Sequence, residues 1–375
     1  MDPTTLETIW FLLICILWIG YFVLEGFDFG VGLLLRAVGR DRAERRMLMH
    51  SIGPFWDGNE VWLLVAGGAT FAAFPGWYAS LFSGAYLALF VILVALIFRG
   101  VAFEFWGKHD TARWRGTWEW ALILGSAVPA LLWGVAWANI VRGLPLNAAH
   151  DMTGTFFDLL TPYTLLGGVV SLALFTLHGA IFLTLRLSDT DAPEAHARAE
   201  AIAKRVTPVA LVAVVAFLGW TLAEQDGVEW FSALLAVGAA VLVGAVMALL
   251  SQGKFGLAFG VSAGAIALTF SALFADLFPN ALPSTTSAAN DLTLAAAAST
   301  PYTLKVMTVV AVLLVPVVLA YQAWTYWILR ARLGKATFEE VRNPVDLVAR
   351  MTGGTPGGGG PGAGGSLPGG AGGGS

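Results

Sequence analysis

Nine stretches of apolar sequence, each of about bilayer-crossing length, leave this chain little choice of fold. A hydrocarbon core about 30 Å thick asks for roughly 20 apolar residues per helix. Runs of that order occupy residues 6–35, 52–74, 77–98, 118–140, 162–185, 206–222, 230–250, 255–278 and 304–329. They are continuously apolar, without the two-residue alternation of a barrel strand, so they are expected to be helices. The first run is overlong and is expected to tilt or to protrude at one end. Charged residues make up only 12% of the chain, too few to cover the surface of a soluble domain of this length. The expected fold is an all-α integral membrane protein of nine transmembrane helices.

Lysine and arginine orient the helices. With the N-terminus outside, 19 of the 21 basic residues fall in cytoplasmic segments, among them Arg36, Arg40, Arg99, Lys108, Arg186, Lys254 and Arg330. Only Arg142 and Lys305 lie on the other side, a nearly complete positive-inside bias. An odd helix count then places the C-terminus in the cytoplasm. The transmembrane domain is assigned to residues 1–350. Residues 351–375 are dominated by Gly and Pro and are expected to be a disordered cytoplasmic tail. Thr161-Pro162-Tyr163-Thr164-Leu165 and Thr300-Pro301-Tyr302-Thr303-Leu304 share one pattern, Thr as N-cap and Pro at the first helical position.

Ionisable side chains within membrane helices are expensive, so each one asks for a reason. Glu25 and Asp28 lie three apart late in the first run, among Gly26, Gly30 and Gly32. Asp57 and Glu60 repeat that spacing early in the second, and Glu104 and Lys108 sit four apart just past the third. Spacings of three and four put both members of a pair on one helix face. All fall toward the cytoplasmic side, as a line of proton-exchanging groups would require. The competing reading makes Glu25, Asp28 and Glu60 interface residues neutralised by Arg36 or by other loop cations, and Glu104–Lys108 a surface pair. The glycines are then read as close-packing positions.

No arrangement for nucleotide, nucleic-acid or metal binding stands out, and the lone Cys15 makes neither a disulfide nor a thiolate site within one chain. Among five histidines only His178 lies well inside a run, which gives few pairs of axial haem ligands. It reads as a buried polar contact to a neighbouring helix, with a cofactor or proton role as the alternative.

The same residues carry a family likeness. The segments Glu25-Gly26-Phe27-Asp28-Phe29-Gly30-Val31-Gly32 and Ser51-Ile52-Gly53-Pro54-Phe55-Trp56-Asp57-Gly58-Asn59-Glu60-Val61-Trp62 resemble those of cytochrome bd quinol oxidase subunit II. So do Phe71-Ala72-Ala73-Phe74-Pro75, Arg99-Gly100-Val101-Ala102-Phe103-Glu104, Leu277-Phe278-Pro279 and Leu304-Lys305-Val306-Met307-Thr308, which reach from the first run to the ninth. The resemblance implies one subunit of a heterodimeric terminal oxidase of the bacterial cytoplasmic membrane. That enzyme oxidises membrane quinol and reduces oxygen to water, with haem b and haem d in the partner, subunit I. It implies two four-helix bundles plus one peripheral helix, a subunit that supports its partner and can hold a structural quinone, and room for a small accessory subunit. It also implies a cytoplasmic proton path, whose matching positions here are Asp57, Glu104 and Lys108; Glu25 and Asp28 are added to that path by their placement toward the cytoplasmic side. Glu25 and Glu104 stand where some relatives have Asp, and the connection over residues 223–229 is shorter than in some. A secondary transporter with a midplane site, and a purely structural anchor of a haem subunit, are the alternatives from other classes.

Overall fold

The computed structural model describes residues 2–224, 230–335 and 338. The assignments made for residues 351–375, and most of the short connection before residue 230, lie outside the described residues.

Among the described residues, eight helices are long and apolar enough to cross a membrane: α1 (Thr5–Val38), α5 (Tyr86–Phe105), α6 (Ala112–Arg142), α7 (Pro162–Arg186), α8 (Pro193–Ala223), α9 (Trp230–Ser251), α10 (Phe255–Leu277) and α12 (Pro301–Ile328). The second apolar run is not among them. Its front end belongs to an amphipathic helix, α2 (Arg42–Ile52), and its remainder forms α3 (Trp56–Ala73), 18 residues long. Asp57, Asn59 and Glu60 in the opening turns of α3 lower its hydropathy. The third run is broken as well. Phe74, restricted by the proline after it, leaves the helical region at φ −131° and ψ 68°, and Pro75 starts the short helix α4 (Pro75–Gly84), which Ala85, at φ −97° and ψ 16°, separates from α5 within the run.

Helix starts follow the sequence closely. Thr161 and Thr300 cap α7 and α12, each hydroxyl accepting the amide of the residue three ahead at 3.3 Å. Thr4 and Glu7 form a reciprocal capping box on α1. At 34 residues α1 is about 50 Å long, well beyond the bilayer core. Between α10 and α12 the chain makes a small antiparallel pair, β1 (Asn280–Leu282) with β2 (Leu292–Thr293), followed by one turn of helix, α11 (Leu294–Ala297).

The organising element is α1, which packs against α3, α6, α7 and α10. Its glycines make this possible. A Cβ on Gly30 would collide with the Phe175 carbonyl and the Gly179 backbone of α7, and one on Gly32 with Ser126 of α6. They are contact positions between helices. Around them Trp18, Tyr21, Phe22, Trp133, Trp137 and Phe270 form an aromatic core, with Phe22 stacked on Phe270 at 4.1 Å. By contrast α12 buries only Leu304 among its described residues. It is held at its first turns by the Trp10 indole, which donates to the Leu304 carbonyl at 3.1 Å and the Thr308 hydroxyl at 3.0 Å.

Ion pairs gather at the end of the molecule where α1 and α7 finish and α6 and α8 begin. Arg36 and Arg45 converge on Glu119 at 2.8 and 3.1 Å, and Arg198 meets Glu44 at 2.6 Å. Lys335, just past α12, reaches Asp41 at 2.5 Å. Partial burial raises the Asp41 carboxyl, but the Glu44 amide and the Lys335 ammonium outweigh it and hold the group below its ordinary range. The hydrogen bond to Asp41 raises Lys335 in turn.

Candidate functional site: a buried charge cluster

Three helices deliver ionisable side chains to one interior point. Glu25 and Asp28 of α1 and Arg99 of α5 are all completely buried. The Arg99 Nη1 group pairs with Glu25 Oε1, while Glu60 Oε2 of α3 lies 3.9 Å from the same nitrogen. The guanidinium also sits 4.9 Å over the Phe29 ring, a cation–π contact within α1's own next turn. One cation therefore faces three carboxylates. Of these only Glu60 keeps some exposure, 22% of its side chain.

Asn59 closes the cluster. Its Nδ2 group donates to Asp28 Oδ2 at 2.7 Å and to the Leu24 carbonyl at 3.3 Å. Its Oδ1 accepts from the Tyr326 hydroxyl at 2.8 Å and from Gln322 Nε2 at 3.1 Å, both on α12. Four buried polar atoms here have no protein partner: Glu25 Oε2, Asp28 Oδ1, and Nε and Nη2 of Arg99. Buried polar atoms are rarely left unsatisfied, and here donors and acceptors without a protein partner lie in one cluster.

Two expectations need correction. Arg99 was grouped with the cytoplasmic loop cations, because the apolar run stops at residue 98; the helix instead continues to Phe105, which carries Arg99 inside. Arg36 does not neutralise Glu25 or Asp28, since its guanidinium is engaged with Glu119. The signal that points to Arg99 is a charge count: two carboxylates in the first helix need a buried cation.

Asp57, Glu104 and Lys108 are not in the cluster. All three are exposed, and among the described residues their side chains have no hydrogen-bond or ion-pair partner. Because α5 ends at Phe105, helical spacing does not bring Lys108 back onto Glu104. They are nonetheless neighbours of the site. Asp57 is one turn before Glu60 on α3, Glu104 is five residues beyond Arg99 on α5, and their adjacent residues Trp56 and Phe103 stack at 5.0 Å. The arrangement runs from exposed groups at one end of the helices to a buried, charged interior.

His178 stands apart, completely buried, with Nδ1 2.7 Å from the Ser262 hydroxyl of α10 and its ring stacked on Phe259 at 4.3 Å. That is a helix-to-helix polar contact. No group of three His, Cys, Asp or Glu placed to hold a metal ion occurs among the described residues.

Comparisons with known proteins converge. The family model for cytochrome bd terminal oxidase subunit II matches residues 6–329. The cytochrome bd ubiquinol oxidase subunit 2 of Bacillus subtilis is 40% identical over 333 residues, covering 88% of this chain and 97% of that one. The cytochrome bd-I ubiquinol oxidase subunit 2 of Escherichia coli is 38% identical over 375 residues, covering 90% and 98%. Among solved structures, a chain of the bd oxidase from Geobacillus thermodenitrificans aligns with a TM-score of 0.68 over 87% of this chain and 99% of that one; at 17% identity it speaks for the fold alone.

Proposed function

The chain belongs to the cytochrome bd terminal oxidase subunit II family, and from that premise we propose that it delivers cytoplasmic protons toward the oxygen-reducing haems of its partner. As subunit II of a quinol:oxygen oxidoreductase it is a multi-pass membrane protein of a bacterial respiratory oxidase, partnered by subunit I. Membership leaves the transporter reading without support.

In this reading α3 is a ninth span. The four helices α1, α3, α5 and α6 make one bundle and α7 to α10 the other, with α12 peripheral. The N-terminus is outside, so the end carrying Asp57, Glu104, Lys108 and the ion pairs faces the cytoplasm. Residues 351–375 follow on that side. Haem b and haem d belong to subunit I, where they would supply the electron transfer and oxygen chemistry. Asp57 and Glu104, with Lys108 tempering their charge, collect protons at the surface. Glu60, half-buried, passes them inward to Glu25 and Asp28. Arg99 pairs with Glu25 and orients it, and one positive charge against three carboxylates lets the cluster take up two protons without gaining net positive charge.

The observation that carries the proposal is the buried cluster opening through Glu60 onto Asp57. Its test is Asp57→Asn in the complex with subunit I: oxygen uptake falls while haem absorption stays intact. A normal rate would sink the route. One observation favours the anchor reading, the fully buried Glu25–Arg99 pair, which also locks α1 to α5. Failed assembly of Asp57→Asn, with no haem signal, is the outcome that reading predicts.

A further inference from the structure

The side chains around Asn59 join α12 to the interior. Apart from Leu304, α12 keeps its described residues out of the core, yet it sends Gln322 and Tyr326 to the one amide that serves Asp28. The amide's orientation is settled by its surroundings. The Leu24 carbonyl can only accept, so Nδ2 must face α1, and Oδ1 is left to receive the two donors from α12.

We infer that Asn59 is the positioning residue of the buried carboxylate site, and that Gln322 and Tyr326 of α12 hold its amide with the N–H toward Asp28. The inference rests on the proton-delivery reading for its function, though not for its geometry. An amide N–H meets a carboxylate oxygen as a donor and favours the ionised form. The reversed amide presents an oxygen, which only a carboxylic O–H satisfies. Docking of α12 therefore reinforces the orientation that the Leu24 carbonyl also favours, and ties a helix otherwise turned outward to the buried carboxylate.

The other ionisable groups around Asp28 come from each neighbouring helix. They are Glu25 on α1 itself, Glu60 with Asp57 beyond it on α3, Arg99 on α5, and Tyr326 on α12. On α6 the Trp133 indole donates to Tyr21 at 3.2 Å, and on α7 His178 is turned to Ser262. None of these donates to Asp28 in place of Asn59 among the described contacts.

The Tyr326 ring stacks on Phe55 at 4.6 Å, so phenylalanine preserves its packing and removes only the hydroxyl. The experiment uses the complex with subunit I, carrying Tyr326→Phe alone and together with Gln322→Met. Infrared spectra with labelled aspartate identify the Asp28 carboxyl band as the one missing from an Asp28→Glu complex. The expected result is a band displaced in the double variant, by more than in Tyr326→Phe, with haem absorption unchanged and the pH profile of turnover shifted. An unmoved Asp28 band in the double variant overturns the inference. So does a double variant that does not assemble while Tyr326→Phe assembles with its band unmoved. A displaced band with an unshifted pH profile upholds the positioning role and removes Asp28 from the delivery route, which separates the two readings.

Discussion

Arg99 and Glu25 stand 74 residues apart in the chain and meet as a completely buried ion pair between α5 and α1. Within a bilayer neither charge has water to fall back on, so each side chain is held in place by the other.

Removing one partner is therefore expected to be far worse than removing both. Arg99→Leu strands the Glu25 and Glu60 charges, and Glu25→Leu strands the guanidinium. Each is expected to destabilise the assembled complex by about 3–5 kcal/mol, the range for breaking a buried pair. The double replacement is expected to recover much of that loss while still failing in turnover. Thermal denaturation of the purified complex, followed by haem absorption, reads the three variants. Equal stability of single and double variants would show that the pair does not hold α1 and α5 together.

The exposed acids give a different pattern. Asp57→Asn and Glu104→Gln remove proton-exchanging groups without stranding a buried charge. Their effect is expected in rate alone. We predict a loss of oxygen uptake of about tenfold or more for Asp57→Asn, below the full effect of a positioned acid because water has access to this end. Glu104→Gln, farther from Glu60 along the route, is expected to lose less. Both complexes should melt within about 0.5 kcal/mol of the parent. A stability loss comparable to that of Arg99→Leu would instead mark these residues as structural.

Packing makes a third prediction at Gly30. There the Phe175 carbonyl and the Gly179 backbone leave no space for a methyl group. Both obstacles are main chain and cannot rotate aside, so Gly30→Ala must part α1 from α7. The expected cost is about 1–3 kcal/mol, as for an overpacked core. Because Glu25 and Asp28 ride on α1, turnover is expected to fall with stability. The melting temperature and oxygen uptake of one Gly30→Ala preparation test both.

Much of this was legible in the sequence, and the parts that were not have physical reasons. Apolar runs located the helices, and the paired Thr-Pro phrases marked two helix starts to the residue, because a cap is a local interaction. Glu25 and Asp28 stood out because a charge inside an apolar run has no cheap explanation. Arg99 did not, since an apolar run ends at the first cation whether or not the helix does. Here the helix runs on to Phe105, with the guanidinium pointing inward. Asn59 was hidden for a related reason. It carries no charge, and its importance lies in Gln322 and Tyr326, more than 260 residues away. The end of α2 was not legible because its last residue, Ile52, is apolar and opens the run that continues past Gly53 and Pro54 into α3.

The last prediction concerns the pair between Asp41, which caps α2, and Lys335, just past α12. It fastens the end of a helix that has few other anchors. The Asp41 carboxyl is held below its ordinary range, so its contribution is present at neutral pH and disappears as pH falls through that lowered value. Lys335 is raised, so its contribution is complete below the ordinary lysine range of about 10.4 and disappears as pH climbs through the raised value. Between those limits the pair is intact. Both side chains are substantially solvated, which keeps the expected gain to about 0–1 kcal/mol and makes it sensitive to salt. Lys335→Gln is accordingly expected to loosen the end of α12 at neutral pH and low salt, with little effect in high salt or acid. Hydrogen exchange at the amides of residues 322–335 reads this directly. Exchange that rises equally under all three conditions would mean that the strap is held by the Leu333 contacts to Arg186 and Ser188 instead of by charge.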